Sequence, residues 1–283
     1  MAEQQPFGAY APSSALARII RWTRAAPNNW LGRKKAFALR RHGLGLVNGP
    51  IDVESLGARF RLFPGDNVCE KRLLFTPQFF DPLERTLLAE EIARRSGEFV
   101  FLDIGANVGA YALFAAGLAG GEARILAIEP QPVIFDRLCQ NIRQNPGSGV
   151  KAIACAVADR DGMVTLFLDT ENRGETGIHY TSPRHRAGGS VSVPAKTLLT
   201  LCQDEGLARI DAIKVDVEGA EDLVLEPFFQ NAPRGLLPKL IIVENGGHRW
   251  QVDMPALMAS NGYRLRAETR LNLVYEMADA ASR

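Results

Sequence analysis

From about residue 98 onward, short apolar runs alternate with helical stretches. Residues 99–103, 124–129, 150–155, 210–216 and 239–244 read as strands. Runs such as FVFLDIG, ILAIEP and LIIVEN are apolar throughout, which suits strands covered on both faces of a parallel sheet. Residues 111–118, 133–145 and 220–229 predict the intervening helices. The last two apolar segments, 263–267 and 271–277, are close enough to pair as an antiparallel hairpin at the sheet edge. Two extra strands, 163–168 and 190–194, flank a polar loop from Asp169 to Gly189. The whole predicts an α/β fold with a doubly wound, mostly parallel sheet.

The part before residue 98 has a different texture. Residues 13–25 predict a helix with Leu16, Ile19, Ile20 and Thr23 on one face and Arg18, Arg21 and Arg24 around the other. Pro27-Asn28-Asn29 ends it, and a Gly-rich patch at 43–50 links this arm to the body. Residues 51–63 and 68–75 alternate enough to predict short strands, separated by the turn signature Pro64-Gly65-Asp66-Asn67. Asp81-Pro82 then opens an amphipathic helix reaching about Arg95. Three units are expected: a basic helical arm over 1–50, a small extension over 51–97, and the α/β domain over 98–283.

Charge sharpens this division. The net charge of +1 conceals eight cations against Glu3 alone in residues 1–51, a net of +7, so the remaining 232 residues carry −6. A basic arm on an acidic body suits peripheral contact with phosphate or an anionic membrane. A solvated helix without a partner is the plainer reading, and an Arg-rich transit peptide a third. Nucleic acid is not expected, because the body lacks a basic stripe with interleaved aromatics. With 46% hydrophobic and 23% charged residues, wholesale disorder is excluded. No apolar run approaches the roughly 18 residues that cross a bilayer, and the start, MAEQQPFGAY, carries no secretory pattern. Cys69, Cys139, Cys155 and Cys202 form no C-x-x-C pair and read as buried thiols of a reducing, cytoplasmic compartment.

The chemistry concentrates at two loops. Asp103-Ile104-Gly105-Ala106-Asn107-Val108-Gly109 follows a strand and opens a helix. Gly105 and Gly109 let backbone approach a ligand, and the helix N-terminus suits an anionic group such as a carboxylate. The loop departs from the dinucleotide pattern G-x-G-x-x-G, because Asn107 and Ala110 stand at its second and third glycine places. An acid at Asp103 would repel a pyrophosphate but suits a cationic amine. Glu129, followed by Pro130, closes the next strand, where an acid accepts from both ribose hydroxyls. This set fits S-adenosylmethionine better than NAD. The alternative is a tight turn beside a surface acid. Asp159, after the third strand, suits an adenine amino group, or is a turn residue before Asp161-Gly162.

On the acceptor side, Lys214, Asp216 and Glu218 share one side of a strand end by period two. Asp216 is the first candidate at the reaction centre. Lys214 fits a neutralising partner, and Glu221 a first-turn acid favouring the helix dipole. Glu244 and His248 leave the next strand at the same edge. With an ordinary pKa near about 6.5, His248 suits a general base, or is a structural loop residue. Asp216, Glu218, Glu244 and His248 have no diagnostic metal-ligand spacing, and no metal is assigned.

These motifs resemble the FkbM family of S-adenosylmethionine-dependent methyltransferases. The resemblance runs over roughly residues 70–277: DIGANVG at 103–109, IEPQP at 128–132 with Leu138 and Asn141 behind it, AVADRDG at 156–162, VPAKTL at 193–198, IDAIKVDVEGAEDLVL at 210–225 and LIIVE at 240–244. It implies a seven-stranded sheet and O-methylation of a sugar or natural-product hydroxyl. It places Asp103, Gly105, Asn107, Gly109 and Glu129 in the cofactor site and Asp216 at the reaction centre. Leu199 stands where the family usually has Asp, and Glu226-Pro227 where it favours glycine; both lie on the acceptor or scaffold side. The rival readings are a nicotinamide-dependent oxidoreductase on the same fold and a non-catalytic, membrane-associated scaffold.

Overall fold

The computed structural model describes residues 5–168, 176–177 and 189–278. The chain opens with α1 (Ser14–Arg24) and α2 (Trp30–Leu44), then β1 (Ile51–Ser55), β2 (Ala58–Leu62), α3 (Val68–Phe75) and α4 (Pro82–Arg94). Next come β3 (Phe99–Ile104), α5 (Ala110–Ala119), β4 (Ala123–Ile128), α6 (Pro132–Gln144) and β5 (Val150–Ile153). A second sheet uses β6 (Ala156–Val157), β7 (Gly162–Leu168), β8 (Thr176–Gly177) and β9 (Ser190–Lys196). The chain closes with α7 (Leu198–Asp204), β10 (Ala212–Val215), α8 (Glu221–Asn231), β11 (Leu240–Glu244), α9 (Met254–Ser260), β12 (Tyr263–Glu268) and β13 (Asn272–Met277).

The main sheet has seven strands in the order β12-β13-β11-β10-β3-β4-β5. β13 is antiparallel to both neighbours, and the pairs β11–β10, β10–β3, β3–β4 and β4–β5 are parallel. Alternation along β3 explains the two-sided core. Phe99 and Phe101 join a cluster that includes α4 and α5, whereas Val100, Leu102 and Ile104 join one that includes α7, α8 and α9. The sheet is therefore doubly wound, with the winding reversing between β3 and β10. β7 and β9 are the two extra strands expected between Cys155 and Ile210, and they pair antiparallel. The polar loop predicted from Asp169 to Gly189, including His179 and His185, lies outside the described residues except at 176–177 and 189.

One predicted strand is a helix. Residues 68–75 form α3, because Asn67 is an N-cap rather than a hairpin turn residue: its side chain accepts from the Glu70 N–H. Leu73 and Leu74 are both fully buried on this helix, as helical rather than alternating periodicity allows. The hairpin instead pairs β1 with β2 across Leu56-Gly57. Residues 30–44, read as part of the arm without a second helix, form α2, which packs on α1. The apolar face predicted for α1 is turned inward: Leu16, Ile19 and Ile20 share the cluster of Phe99 and Phe101. Among the described residues, no helix is long and apolar enough to cross a membrane.

Candidate functional site

A cavity of about 350 Å³ opens at the carboxyl ends of β3, β4, β10 and β11, the edge where open α/β sheets bind ligands. Asp103, Gly105, Asn107, Glu129, Pro130, Asp216 and Glu244 all line it. Seven of the sequence-derived site residues are thus brought into one pocket from four separate chain segments.

The β3–α5 turn is built by backbone that most side chains would not tolerate. Gly105, Asn107 and Gly109 have φ of +75°, +51° and +90°. A Cβ on Gly105 would lie 1.8 Å from the Asp216 carbonyl oxygen. Glycine there lets the β3 and β10 loops touch. The turn is then tied down by side chains. The Asn107 N–H donates to Glu129 Oε2 at 2.9 Å, and the Gln131 N–H donates to Glu129 Oε1 at 2.9 Å. Asp103 Oδ2 accepts from the Ala112 N–H at 2.9 Å, and Asn107 Oδ1 accepts from the Val108 N–H at 3.0 Å. Two N–H groups of the α5 entry are thus engaged by the protein's own side chains, so the start of α5 is a braced turn more than an open row of donors.

Lys214 is the charge at the centre. Parallel register sets it beside Asp103, and both point to the α5 face because β3 and β10 alternate in phase. Lys214 Nζ donates to Asp216 Oδ2 and lies 5.0 Å from the centre of the Tyr111 ring. Burial works against its charge, but Asp216 and Asp103 outweigh it and raise its pKa. The neutralising reading of Lys214 is the arrangement found. Burial raises the carboxyls around it: Asp103 to about 6, despite Lys214 and the Ala112 N–H, and Glu129 to about 7, despite two backbone donors. Glu244 is pushed to about 8 by burial and by the neighbouring Asp216 charge. A pocket of carboxyls held this close to neutrality is suited to a cationic ligand, which would favour their ionised forms.

Other sequence candidates stand apart from the cavity lining. Gly109 caps α5, where a Cβ would meet Leu138 at 2.8 Å. Asp159 is exposed and pairs with Arg160 at 4.0 Å. His248 is exposed in the short turn Gly247–Arg249. Glu218 does line the cavity, but past the end of β10 and with φ of +59°. Glu221 is buried, accepting from the Val217 and Gly219 N–H groups and from Trp250 Nε1, so it braces the loop after Asp216.

One wall was not foreseen. Asn67, Arg72, Phe80 and Asp81 line the cavity from the extension, facing Tyr111 of α5. Asp81 accepts from Arg72 Nη2 at 2.8 Å and from the Tyr111 hydroxyl at 3.2 Å. The Asp-Pro start of α4 was the available signal, but it marks a helix entry as readily as a pocket wall. Among the described residues, no group of three or more His, Cys, Asp or Glu side chains is arranged to hold a metal ion.

The model of the Methyltransferase FkbM domain matches residues 103–265, a span that contains the cavity's sheet edge from Asp103 to Glu244. The chain belongs to the FkbM methyltransferase family. Methyltransferase sdnD of Sordaria araneosa is 32% identical over 211 residues, covering 63% of this chain and 80% of that protein. The 31-O-demethyl-FK506 methyltransferase FkbM of Streptomyces tacrolimicus is 26% identical over 185 residues, covering 56% and 69% respectively. Among solved structures, the METTL16 methyltransferase domain aligns over 93% of this chain and 90% of its own, with a TM-score of 0.51 and 16% identity; this likeness is one of fold. The protein is therefore a methyltransferase, and its seven-stranded sheet is the scaffold on which the cavity is built.

Proposed function

We propose that this methyltransferase uses S-adenosylmethionine to methylate a hydroxyl on a sugar or natural-product acceptor. The observation that carries the reading is the carboxyl cluster at one sheet edge: Asp103, Glu129, Asp216 and Glu244 line a single cavity. Asp103 suits the cofactor's amine and Glu129 its ribose hydroxyls, both acids being already oriented by backbone donors. Gly105, Asn107 and Pro130 shape the wall between them, and Gly109 fixes the turn behind. Asp159 remains the candidate for the adenine amino group on the third-strand side. The relative that acts on 31-O-demethyl-FK506 supports a hydroxyl acceptor.

When bound, S-adenosylmethionine would supply a sulfonium-activated methyl group to an attacking acceptor oxygen, with S-adenosylhomocysteine as the leaving group. The chain's part is to align the acceptor and exclude water. Asp216, paired with Lys214, holds negative charge at the reaction centre. Glu244, with its raised pKa, is the better proton acceptor for the hydroxyl. His248, exposed outside the cavity lining, would need the turn at 247–249 to fold inward to share that role. Asn107 and Ala110, at the second and third glycine places of the dinucleotide pattern, count against the nicotinamide alternative.

We read the arm as a peripheral contact with an anionic membrane, which would place the enzyme in the cytoplasm at the inner membrane face. The +7 charge of residues 1–51 supports this, and four free cysteines suit a reducing compartment. Calorimetric titration with S-adenosylhomocysteine, with NAD as control, tests the cofactor assignment. Micromolar binding abolished by Glu129→Ala is expected; binding of NAD instead would refute the assignment.

A further inference from the structure

We propose that the outer face of α2 is a preformed docking surface for an anionic lipid bilayer, with Trp30 and Phe37 entering the interface. This rests on the membrane reading of the arm and deepens it by naming the face. The apolar side of α1 is not available for the purpose, because Leu16, Ile19 and Ile20 are buried in the core. α2 turns its small residues Gly32, Ala36 and Gly43 inward. Its opposite side carries Trp30, Lys34, Phe37 and Arg41, spaced as one stripe along the helix.

Trp30 is 70% exposed, Leu31 beside it 53% and Phe37 43%. Single exposed hydrophobes are ordinary, but these lie together among cations. Lys34 Nζ lies 4.1 Å from the Trp30 ring centre, and the Arg40 guanidinium 4.8 Å from that of Phe37. Residues 5–51 contain no acid. Aromatic rings with long cationic side chains over them match the layered chemistry of a bilayer surface: ring at the acyl boundary, charge at the phosphates. The −6 charge of the rest of the chain is repelled by the same surface, so the arm sets the orientation.

The face also leads to the site. The Phe37 ring packs edge-on against Phe79 at 6.4 Å, and the Arg33 guanidinium lies 5.1 Å from the centre of that ring. The next residues, Phe80 and Asp81, line the catalytic cavity. A protein docked through α2 therefore holds one wall of its pocket next to the contact.

The test is sedimentation of the full chain with vesicles of phosphatidylglycerol and phosphatidylcholine, against phosphatidylcholine alone. Binding to the anionic vesicles only, weakened by salt, is expected. Trp30→Ala/Phe37→Ala should lose about tenfold or more in affinity, and Lys34→Gln/Arg41→Gln about twenty-five-fold, since each surface cation contributes about fivefold. Melting temperature and S-adenosylhomocysteine binding should stay unchanged in Lys34→Gln/Arg41→Gln, whose side chains are exposed and outside the cavity. Because Phe37 also packs on Phe79, Trp30→Ala alone, at a residue 70% exposed, is the aromatic variant that should weaken vesicle binding with melting temperature unchanged. If anionic vesicles bind but neither pair of changes weakens them, while Arg18→Gln/Arg21→Gln does, the α2 face is wrong and the arm reading survives. No binding to anionic vesicles, or equal binding to neutral ones, overturns both. Capture of a single-stranded RNA oligonucleotide in preference to vesicles also overturns them.

Discussion

Asn67 Nδ2 donates to Asn107 Oδ1 at 2.8 Å, joining the cap of α3 to the glycine-containing loop of the cofactor site. The same Asn67 accepts from the Glu70 N–H through its Oδ1, so one side chain serves two ends. The two roles can be separated. Asn67→Asp retains an acceptor for the α3 cap but cannot donate to Asn107. S-Adenosylhomocysteine affinity is expected to fall about tenfold, the usual scale of a lost buried hydrogen bond. The melting temperature should fall as well, because the new carboxyl is fully buried and faces Asn107 Oδ1. Calorimetry beside a thermal melt checks this; equal affinity in the variant would show that the extension does not help hold the loop.

Gly105→Ala should be far more damaging. The added Cβ meets the Asp216 carbonyl oxygen at 1.8 Å on a residue with φ of +75°. Both the clash and the left-handed backbone act against it, and a loss of about 2 kcal/mol or more in stability is expected. Denaturant unfolding measures it. A variant of wild-type stability would mean that the two loops can separate at little cost.

Much of the sheet and half of the pocket were legible in the sequence because they are local. Apolar strands such as FVFLDI and LIIVE bury both faces, and the Asp103-to-Gly109 loop carries its own glycine signature. The hairpin was legible too, although β13 lies inside the sheet and β12 forms its edge. What escaped depends on distant partners. Residues 68–75 are amphipathic under either periodicity, and only the Asn67 cap decides for a helix. Gly32 and Gly43 weaken the helical pattern of α2, yet Gly43 is where Phe75 packs, its ring atoms about 2.7 Å from where a Cβ would be. Nothing local places Asp81 against Tyr111, thirty positions away.

Cofactor binding should strengthen as pH rises. Burial pushes the Asp103 carboxyl up to about 6 and that of Glu129 up to about 7. A cationic amine and ribose hydroxyl donors favour the ionised carboxyls, so binding releases protons. Below these values affinity is expected to fall by up to about tenfold per pH unit for each proton released; above about pH 8 it should level off. Titrations in buffers of different ionisation enthalpy count the protons. An affinity flat between about pH 5.5 and 8 would remove these two acids from the cofactor contact.

Three substitutions separate the catalytic roles. Glu244→Gln should lower turnover about a hundredfold or more if it takes the acceptor proton, with S-adenosylhomocysteine affinity preserved. Asp216→Ala should lower turnover with cofactor still bound. His248→Ala should leave turnover within a few-fold of wild type. Single-turnover methyl transfer on an accepted hydroxyl substrate measures each. A His248 variant as slow as the Glu244 variant would mean that the turn at 247–249 closes over the cavity during catalysis.

Lys214→Met isolates the cation beneath the pocket. Lys214 is buried between Asp103 and Asp216 and hydrogen-bonds the latter. Its removal leaves the buried Asp103 and the partly buried Asp216 without their counter-charge, and loss of one partner of such a pair costs about 3–5 kcal/mol. That loss should depend on pH. Without Lys214 the Asp103 carboxyl, already raised by burial, rises further above its unfolded value, so the folded chain holds more protons than the unfolded one over a wider range. Stability then falls as pH climbs through that range, and the deficit against wild type should be small near about pH 5 and large near about pH 8. A cationic cofactor would replace part of the missing charge, so S-adenosylmethionine should restore more stability than neutral-sulfur S-adenosylhomocysteine at matched saturation. Denaturant melts at the two pH values, with each ligand, test both statements. A deficit independent of pH would show that Lys214 contributes through its packing against Tyr111 and not through its charge.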